Sequence, residues 1–377
     1  MDAFNFLHIF LLINNQYGKP HYFLNIQVMK NVKSHMLRLI AVNIFLAYLV
    51  CPVADCQAQS TPRKSLLALS KTDHMLAIID PLTLKIVARV PVGEDPHEVI
   101  ASADGKTAYV TIYGGGRLHE LDIIDLVAQK PLTSVDTRPL YGPHGVTFAA
   151  GKAWFTAEGS KSVGRYDPAT GKLDWSMGTG EDRTHMIYVT ADGKKIFTTN
   201  VSSGTVSILT DTLIPPGKFS PPGAMPREDW MQTVVPVVKG AEGFDVSPDG
   251  NELWTASAED GTISIVDAGT KKLAAKINAK VMGANRVKFT PDGSQVFISS
   301  LQSGDLAVYD TKSRKEIKRL KTGHGAAGIL MDTDGSRVFV ACSADNYVAI
   351  IDLKTLEVTS HLEVGGVPDG LAWAILP

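Results

Sequence analysis

Between residues 243 and 352 the chain writes one pattern three times: GFDVSPDGNELWTASAEDGTISIVD, RVKFTPDGSQVFISSLQSGDLAVYD and GILMDTDGSRVFVACSADNYVAIID. The turn glycines Gly250, Gly293 and Gly335 fall 43 and 42 residues apart. Self-similarity at a fixed period of this length defines a repeat array, in which each unit buries its faces against its neighbours. One unit comprises an apolar run, an Asp-Gly turn, a second run, a small polar loop, a third run ending in Asp, and a fourth run. Asp-Gly supplies the positive φ that tight hairpin turns require. The runs are rich in Val, Ile, Phe and Thr, too short and too β-branched for helices. Four antiparallel strands of this composition carry two apolar faces and cannot bury both alone. Stacking such sheets face to face around an axis covers both, so the pattern predicts an all-β propeller.

Residues 1–58 lie outside the repeat. Lys30, Lys33 and Arg38 precede an apolar run over 39–50, and Gln57 separates Cys56 from Ala58 at a small-residue cleavage pattern. This is the layout of a secretory signal, complete from Met36 onward, with the preceding residues an upstream extension. Twelve apolar residues fall short of the ~20 that span a bilayer, so no stable membrane anchor is expected. The reading is therefore an exported protein, periplasmic or secreted, with one domain over 59–377.

Seven blades fit that domain. Aligned on the residue two before the first buried apolar position, the inner strands start at His97, His144, His185, Glu242, Asn285, Ala327 and Asp369. Second strands also number seven, but the first of them, SLLALS, has no inner strand before it, and the last inner strand, DGLAWAI, has no second strand after it. The C-terminal strand is expected to complete the first blade, removing the open edges of the array. One interval breaks the rhythm. From Gly193 to Gly250 it stretches to 57 residues, and the proline-rich segment 213–230 reads as a loop inserted between the third and fourth strands of the fourth blade.

Setting aside residues 1–58 leaves 33 Lys and Arg against 37 Asp and Glu, with no basic run, which argues against nucleic acid as a partner. Cys51 and Cys56 leave with the signal, so Cys342 has no disulfide partner and reads as a small buried hydrophobe. No Cys-x-x-Cys-His is present, which excludes covalent c-type haem.

The units resemble the YVTN-repeat β-propeller family, through YVT at 109–111, TTNVSSGTVSI at 198–208, PHGV at 143–146 and SPDG at 247–250. The likeness runs over nearly all of residues 60–377. It implies a seven-bladed fold and an extracytoplasmic setting; related propellers include binding proteins, lactonases, a streptogramin lyase and the d1-haem domain of nitrite reductase, so the fold does not select the activity.

Chemistry is expected on the face that carries the loops entering the inner strands and those joining second to third strands. His74, His97, His119, His144, His185 and His324 all map there. His97, His144, His185 and Glu242 hold equivalent positions in four successive blades, a ligand set suited to a divalent metal ion. Asn285 and Asp369 close the far side with oxygen donors; with Glu242 they would form a calcium site instead. Tyr141, Arg183, Arg286 and His324 are further ligand-binding candidates, although an imidazole at such a turn can also simply bond backbone. Three functions fit these residues: a non-catalytic, monomeric binding module that takes a small molecule, a metal ion or a protein at this mouth, a metal-dependent lactonase or carbon-oxygen lyase, and a noncovalent tetrapyrrole carrier.

Overall fold

In a computed structural model that describes residues 59–377, the repeat closes into a ring of seven antiparallel sheets. The expected signal and its start at Met36 lie outside the described residues. The inner strands are Pro96–Ala101, Pro143–Ala149, Thr184–Val189, Ala241–Val246, Ala284–Phe289 and Ala326–Met331 in blades 2 to 7, and Pro368–Ile375 in blade 1. That last strand pairs with Lys64–Ser70, in a register that places Leu66 opposite Trp373, so the chain end closes the first blade as the sequence predicts. Among the described residues no helix is long and apolar enough to cross a membrane.

Strand alternation explains why the apolar runs are continuous. In Lys64–Ser70, Leu66 and Ala68 pack on Phe339, Val348 and Ile350 of blade 7, whereas Leu67 and Leu69 pack on Val99, Val110 and Ile112 of blade 2. The same division recurs around the ring. Trp254 and Ile265 of blade 5 meet Val287 and Ile298 of blade 6, and Phe297 and Val308 of blade 6 meet Ile329 and Val340 of blade 7. Each such side chain contributes about 1.5–3 kcal/mol on burial, so the core is a set of interfaces between blades.

The Asp-Gly turns work as expected. Gly250, Gly293 and Gly335 take φ of 75°, 71° and 71°, and the aspartate before each accepts a hydrogen bond from the backbone N–H after it.

Two details depart from four uniform strands. The outer strand of blade 2 is split into Lys130–Pro131 and Val135–Asp136, both paired with Glu120–Asp125, because Pro131 has no N–H to continue the ladder. The insertion in blade 4 is a shorter loop than its composition suggests. Thr205–Ile214 and Arg227–Pro236 pair along ten residues each, from Thr205 opposite Pro236 to Ile214 opposite Arg227, whereas third strands elsewhere have six, as in Thr262–Asp267. Five prolines crowd into 215–226 and leave the flanking N–H groups free to pair.

Candidate functional site

Every inner strand breaks register with its second strand at one place. The irregularities lie between Pro96 and Val99, Thr184 and Ile187, Ala241 and Phe244, Ala284 and Val287, and Ala326 and Ile329, with equivalents at Pro143–Val146 and Pro368–Leu371. A bulge frees two successive residues from the ladder and re-aims their side chains. Those pairs are His97-Glu98, His144-Gly145, His185-Met186, Glu242-Gly243, Asn285-Arg286, Ala327-Gly328 and Asp369-Gly370. Hydroxyls of the second strands fix the upper residue. Thr111 Oγ1 donates to the carbonyl of His144 (2.6 Å), Thr199 Oγ1 to that of Glu242 (2.8 Å) and Ser299 Oγ to that of Ala327 (2.6 Å), each across to the next blade, and Thr156 does the same for His185. All seven upper residues line one chamber of about 250 Å³ at the channel mouth, together with Lys71, Tyr113 and Arg183.

The three imidazoles in this chamber lie ring beside ring, tilted. Ring centroids of His144 and His185 lie 3.9 Å apart, tilted by 36°, and those of His97 and His144 lie 4.6 Å apart, tilted by 44°. Tyr113 meets His97 and His144 edge-on at 4.7 and 5.0 Å. The rings are thus adjacent and tilted, and among the described residues no group of three or more His, Cys, Asp or Glu side chains is arranged to hold a metal ion.

Two carboxylates clamp His185. Glu158 Oε1 lies 2.6 Å from Nδ1, and Glu242 Oε1 lies 3.2 Å from Nε2, off the line of a hydrogen bond. Glu158 also accepts from the Tyr113 hydroxyl. Burial opposes charge on His185, but Glu242 and Glu158 outweigh it and raise the pKa above the ordinary 6.5. The same pairing, with Arg183 and Arg286, overcomes burial at Glu242 and holds its carboxyl at about 2. His144 goes the other way. Burial, then the positive surroundings of His185, His97, Arg286 and Lys71, push it well below 6.5. The two adjacent rings are thus pushed in opposite directions, and Nδ1 of His144, a residue only 3 % exposed, has no hydrogen-bond partner.

The lower residues close the channel. Four are glycines, and at Gly145, Gly243, Gly328 and Gly370 a Cβ would come within 2.7, 2.3, 2.2 and 2.6 Å of the carbonyl oxygen of His185, Asn285, Asp369 and His97 in the next blade. Their absent side chains let the inner strands crowd around the axis. Across that narrowed channel Arg286 of blade 6 reaches Glu98 of blade 2 through Nε (3.1 Å) and through its terminal nitrogen, and donates to Asn285 Oδ1 at 3.1 Å. Asp369 adds a second acid at 3.8 Å. The ion pair is the floor of the mouth chamber and separates it from a chamber of about 320 Å³ on the opposite side, walled by Ile100, Tyr188, Phe244, Leu330 and Trp373.

Of the sequence candidates, His97, His144, His185, Glu242, Asn285, Asp369, Arg183 and Arg286 come together at this chamber. Two do not. Tyr141 packs edge-on against His119 at 5.6 Å, and His324 stands exposed, bonded to Asp345 at 3.0 Å. Sequence reasoning missed Lys71, Asp95, Glu98, Tyr113 and Glu158. Lys71 Nζ lies 2.8 Å from His97 Nε2 and 3.4 Å from Asp95, whose carboxyl is held low first by its hydrogen bond to His97. Glu98 carried a legible signal, since it and Arg286 are the opposite charges in a row otherwise made of four glycines and Met186.

Fold and site define the class: a seven-bladed propeller with a closed central channel and a histidine-lined mouth on one face. The sequence model of the cytochrome d1 haem domain family matches residues 157–332. No curated protein sequence matches the chain. Among solved structures, a candidate 6-phosphogluconolactonase from Bacteroides fragilis is similar at 15 % identity with a TM-score of 0.64, over 83 % of this chain and 98 % of that one. Hydrazine synthase from Kuenenia stuttgartiensis is similar at 15 % identity and a TM-score of 0.61, over 76 % and 92 %. The dihydro-haem d1 dehydrogenase NirN, in complex with DHE, is similar at 14 % identity and a TM-score of 0.56, over 81 % and 74 %. At these identities the likeness establishes the fold alone.

Proposed function

We propose that the chain is an extracytoplasmic, non-catalytic binding protein that seats a small ligand in the mouth chamber against His144. One observation carries this reading: a buried, uncharged imidazole with an unpartnered nitrogen lines a chamber whose floor is sealed. Native structures leave few buried polar groups unsatisfied, and such a group at a concave polar site is a binding handle.

The match to the d1-haem domain favours a tetrapyrrole as the occupant, held noncovalently because the chain has no Cys-x-x-Cys-His. The donor chemistry fits. His144 is the uncharged imidazole, with its Nδ1 unpartnered, and Lys71 and Arg183 face the same chamber as counter-charges for ring carboxylates. When bound, the macrocycle would supply ligand-exchange or electron-transfer chemistry. A metal-dependent lactonase or lyase would instead need imidazole nitrogens converging on one ion at about 2.0–2.1 Å, an arrangement not found among the described residues, which favours the tetrapyrrole over that reading. The export signal expected from Met36 to residue 58 supports the extracytoplasmic setting.

Untagged protein titrated with hemin tests the proposal. A saturable Soret shift at one equivalent is expected, lost in His144→Ala and in His144→Gln while far-UV circular dichroism and melting stay unchanged. A Soret shift of equal size in both variants, or none in the wild type, overturns it. Elemental analysis of the same preparation decides the divalent-ion alternative.

A further inference from the structure

Three of the five tryptophans meet far from the mouth. Trp154 and Trp175 belong to blade 3 and Trp230 to the blade 4 hairpin, yet their ring centroids lie 5.0 to 6.3 Å apart. They wall a cleft of about 420 Å³ on the side opposite the mouth, within the range of small-molecule sites.

This cleft is a product of the insertion. Asp211 pairs with Trp230 and Leu213 with Glu228 in the part of the hairpin that has no counterpart in six-residue third strands. Those added residues supply one wall, and blade 3 supplies the other. Residues needed only to pad the interface between blades would bury their indoles as Trp154 does, with its Nε1 bonded to the carbonyl of Ala149 at 3.1 Å. Trp175 and Trp230 remain half-buried, and among the described residues neither indole N–H has a protein partner. Around them, the side chains of Asp211, Glu228 and Lys194 likewise have no hydrogen-bond or ion-pair partner among the described residues.

We infer that this cleft binds carbohydrate. Trp175 and Trp230 offer apolar faces tilted by 50° for the C–H face of a sugar ring, and the free carboxylates and ammonium accept from and donate to its hydroxyls. The arrangement selects against other classes of ligand. For a cation, the Arg165 guanidinium, held by Asp174 at 2.7 Å, already lies over Trp154 at 4.8 Å and over Trp175 at 5.9 Å from the ring centroids, which leaves Trp230 as the ring without a cation over it. A polyanion meets Asp192, Asp211, Glu228 and Asp229. A neutral polyhydroxyl ligand uses both signs of charge at once.

Full-length protein titrated to about 10 mM with cellotetraose, maltotetraose, mannotetraose and chitotetraose, followed by tryptophan fluorescence and calorimetry, tests this. At least one sugar is expected to bind saturably, about tenfold more weakly in Trp230→Ala and Trp175→Phe, and several-fold more weakly in Glu228→Gln, an exposed change that leaves folding intact. His144→Ala is expected to bind it unchanged, which separates this site from the mouth. Binding of none of the four, equal binding in all three cleft variants, or quenching by tetramethylammonium in place of sugar overturns the inference.

Discussion

Removing the guanidinium of Arg286 should destabilise the ring more than any change at the exposed rim of the mouth. The Arg286 side chain is 9 % exposed and that of Glu98 12 %, and the two meet across the channel from blades three positions apart. Arg286→Met leaves Glu98 as an uncompensated charge between crowded strands, strips Asn285 Oδ1 of a donor and takes from Asp369 a cation 3.8 Å away. Breaking a buried pair from one side costs about 3–5 kcal/mol. Glu98→Met should cost less, because Arg286 keeps Asn285 and the Asp369 carboxylate. The double change Glu98→Met with Arg286→Met puts two flexible apolar chains where the charges met and should recover most of the loss, since replacing a buried pair with packed apolar groups is often neutral. Urea unfolding of the four proteins gives the coupling, expected at about 3 kcal/mol. An Arg286→Met loss under about 1 kcal/mol, or a double variant no more stable than Arg286→Met, would refute the account of the floor as an ion-paired plug.

Period, turn glycines and offset strand counts were enough to derive the ring, because each is a local property that the chain repeats seven times. The upper ring was legible for the same reason: one residue at a fixed offset from each inner strand. What the bulges do to orientation was not. Three histidines at equivalent positions were legible as neighbours, but not that adjacent blades hold the rings side by side and tilted, with centroids 3.9 and 4.6 Å apart. Arg286 read as a ligand-binding candidate near the mouth, whereas its partner, Glu98, is 188 residues away and found only by laying the seven lower residues in a row. Glu158 and Tyr113 sit in or next to loops joining second and third strands, where no period marks them. The proline-rich segment read wholly as loop because prolines dominate its composition, yet they are confined to its centre, and the strands on either side run on.

Two further outcomes follow from the same geometry. Gly243→Ala, whose Cβ would meet the Asn285 carbonyl oxygen at 2.3 Å, should lose about 1–3 kcal/mol in urea unfolding, whereas Gly269→Ala, with its nearest side-chain atom at 3.5 Å and no positive φ, should change stability little. The adjacent imidazoles should titrate apart: by NMR, the His185 ring is expected to change charge above pH 6.5 and the His144 ring well below it. With a folded pKa above the unfolded 6.5, His185 contributes stability that is full below pH 6.5 and is lost as pH rises through the folded value. Glu242, at about 2 against an unfolded 4.5, contributes stability that is full above pH 4.5 and is lost as pH falls toward 2, so the clamp is whole between those limits. His144 opposes it, because a ring held neutral loses stability as pH falls below 6.5 and the unfolded chain takes up the proton. His185→Ala should therefore abolish the loss on the alkaline side and leave the acid-side losses from His144 and from Glu242, which keeps Arg183 and Arg286. If the two rings titrate together, or His185 loses its charge below 6.5, the clamp of Glu158 and Glu242 does not hold a cation, and the neutral state assigned to His144 loses its main electrostatic cause.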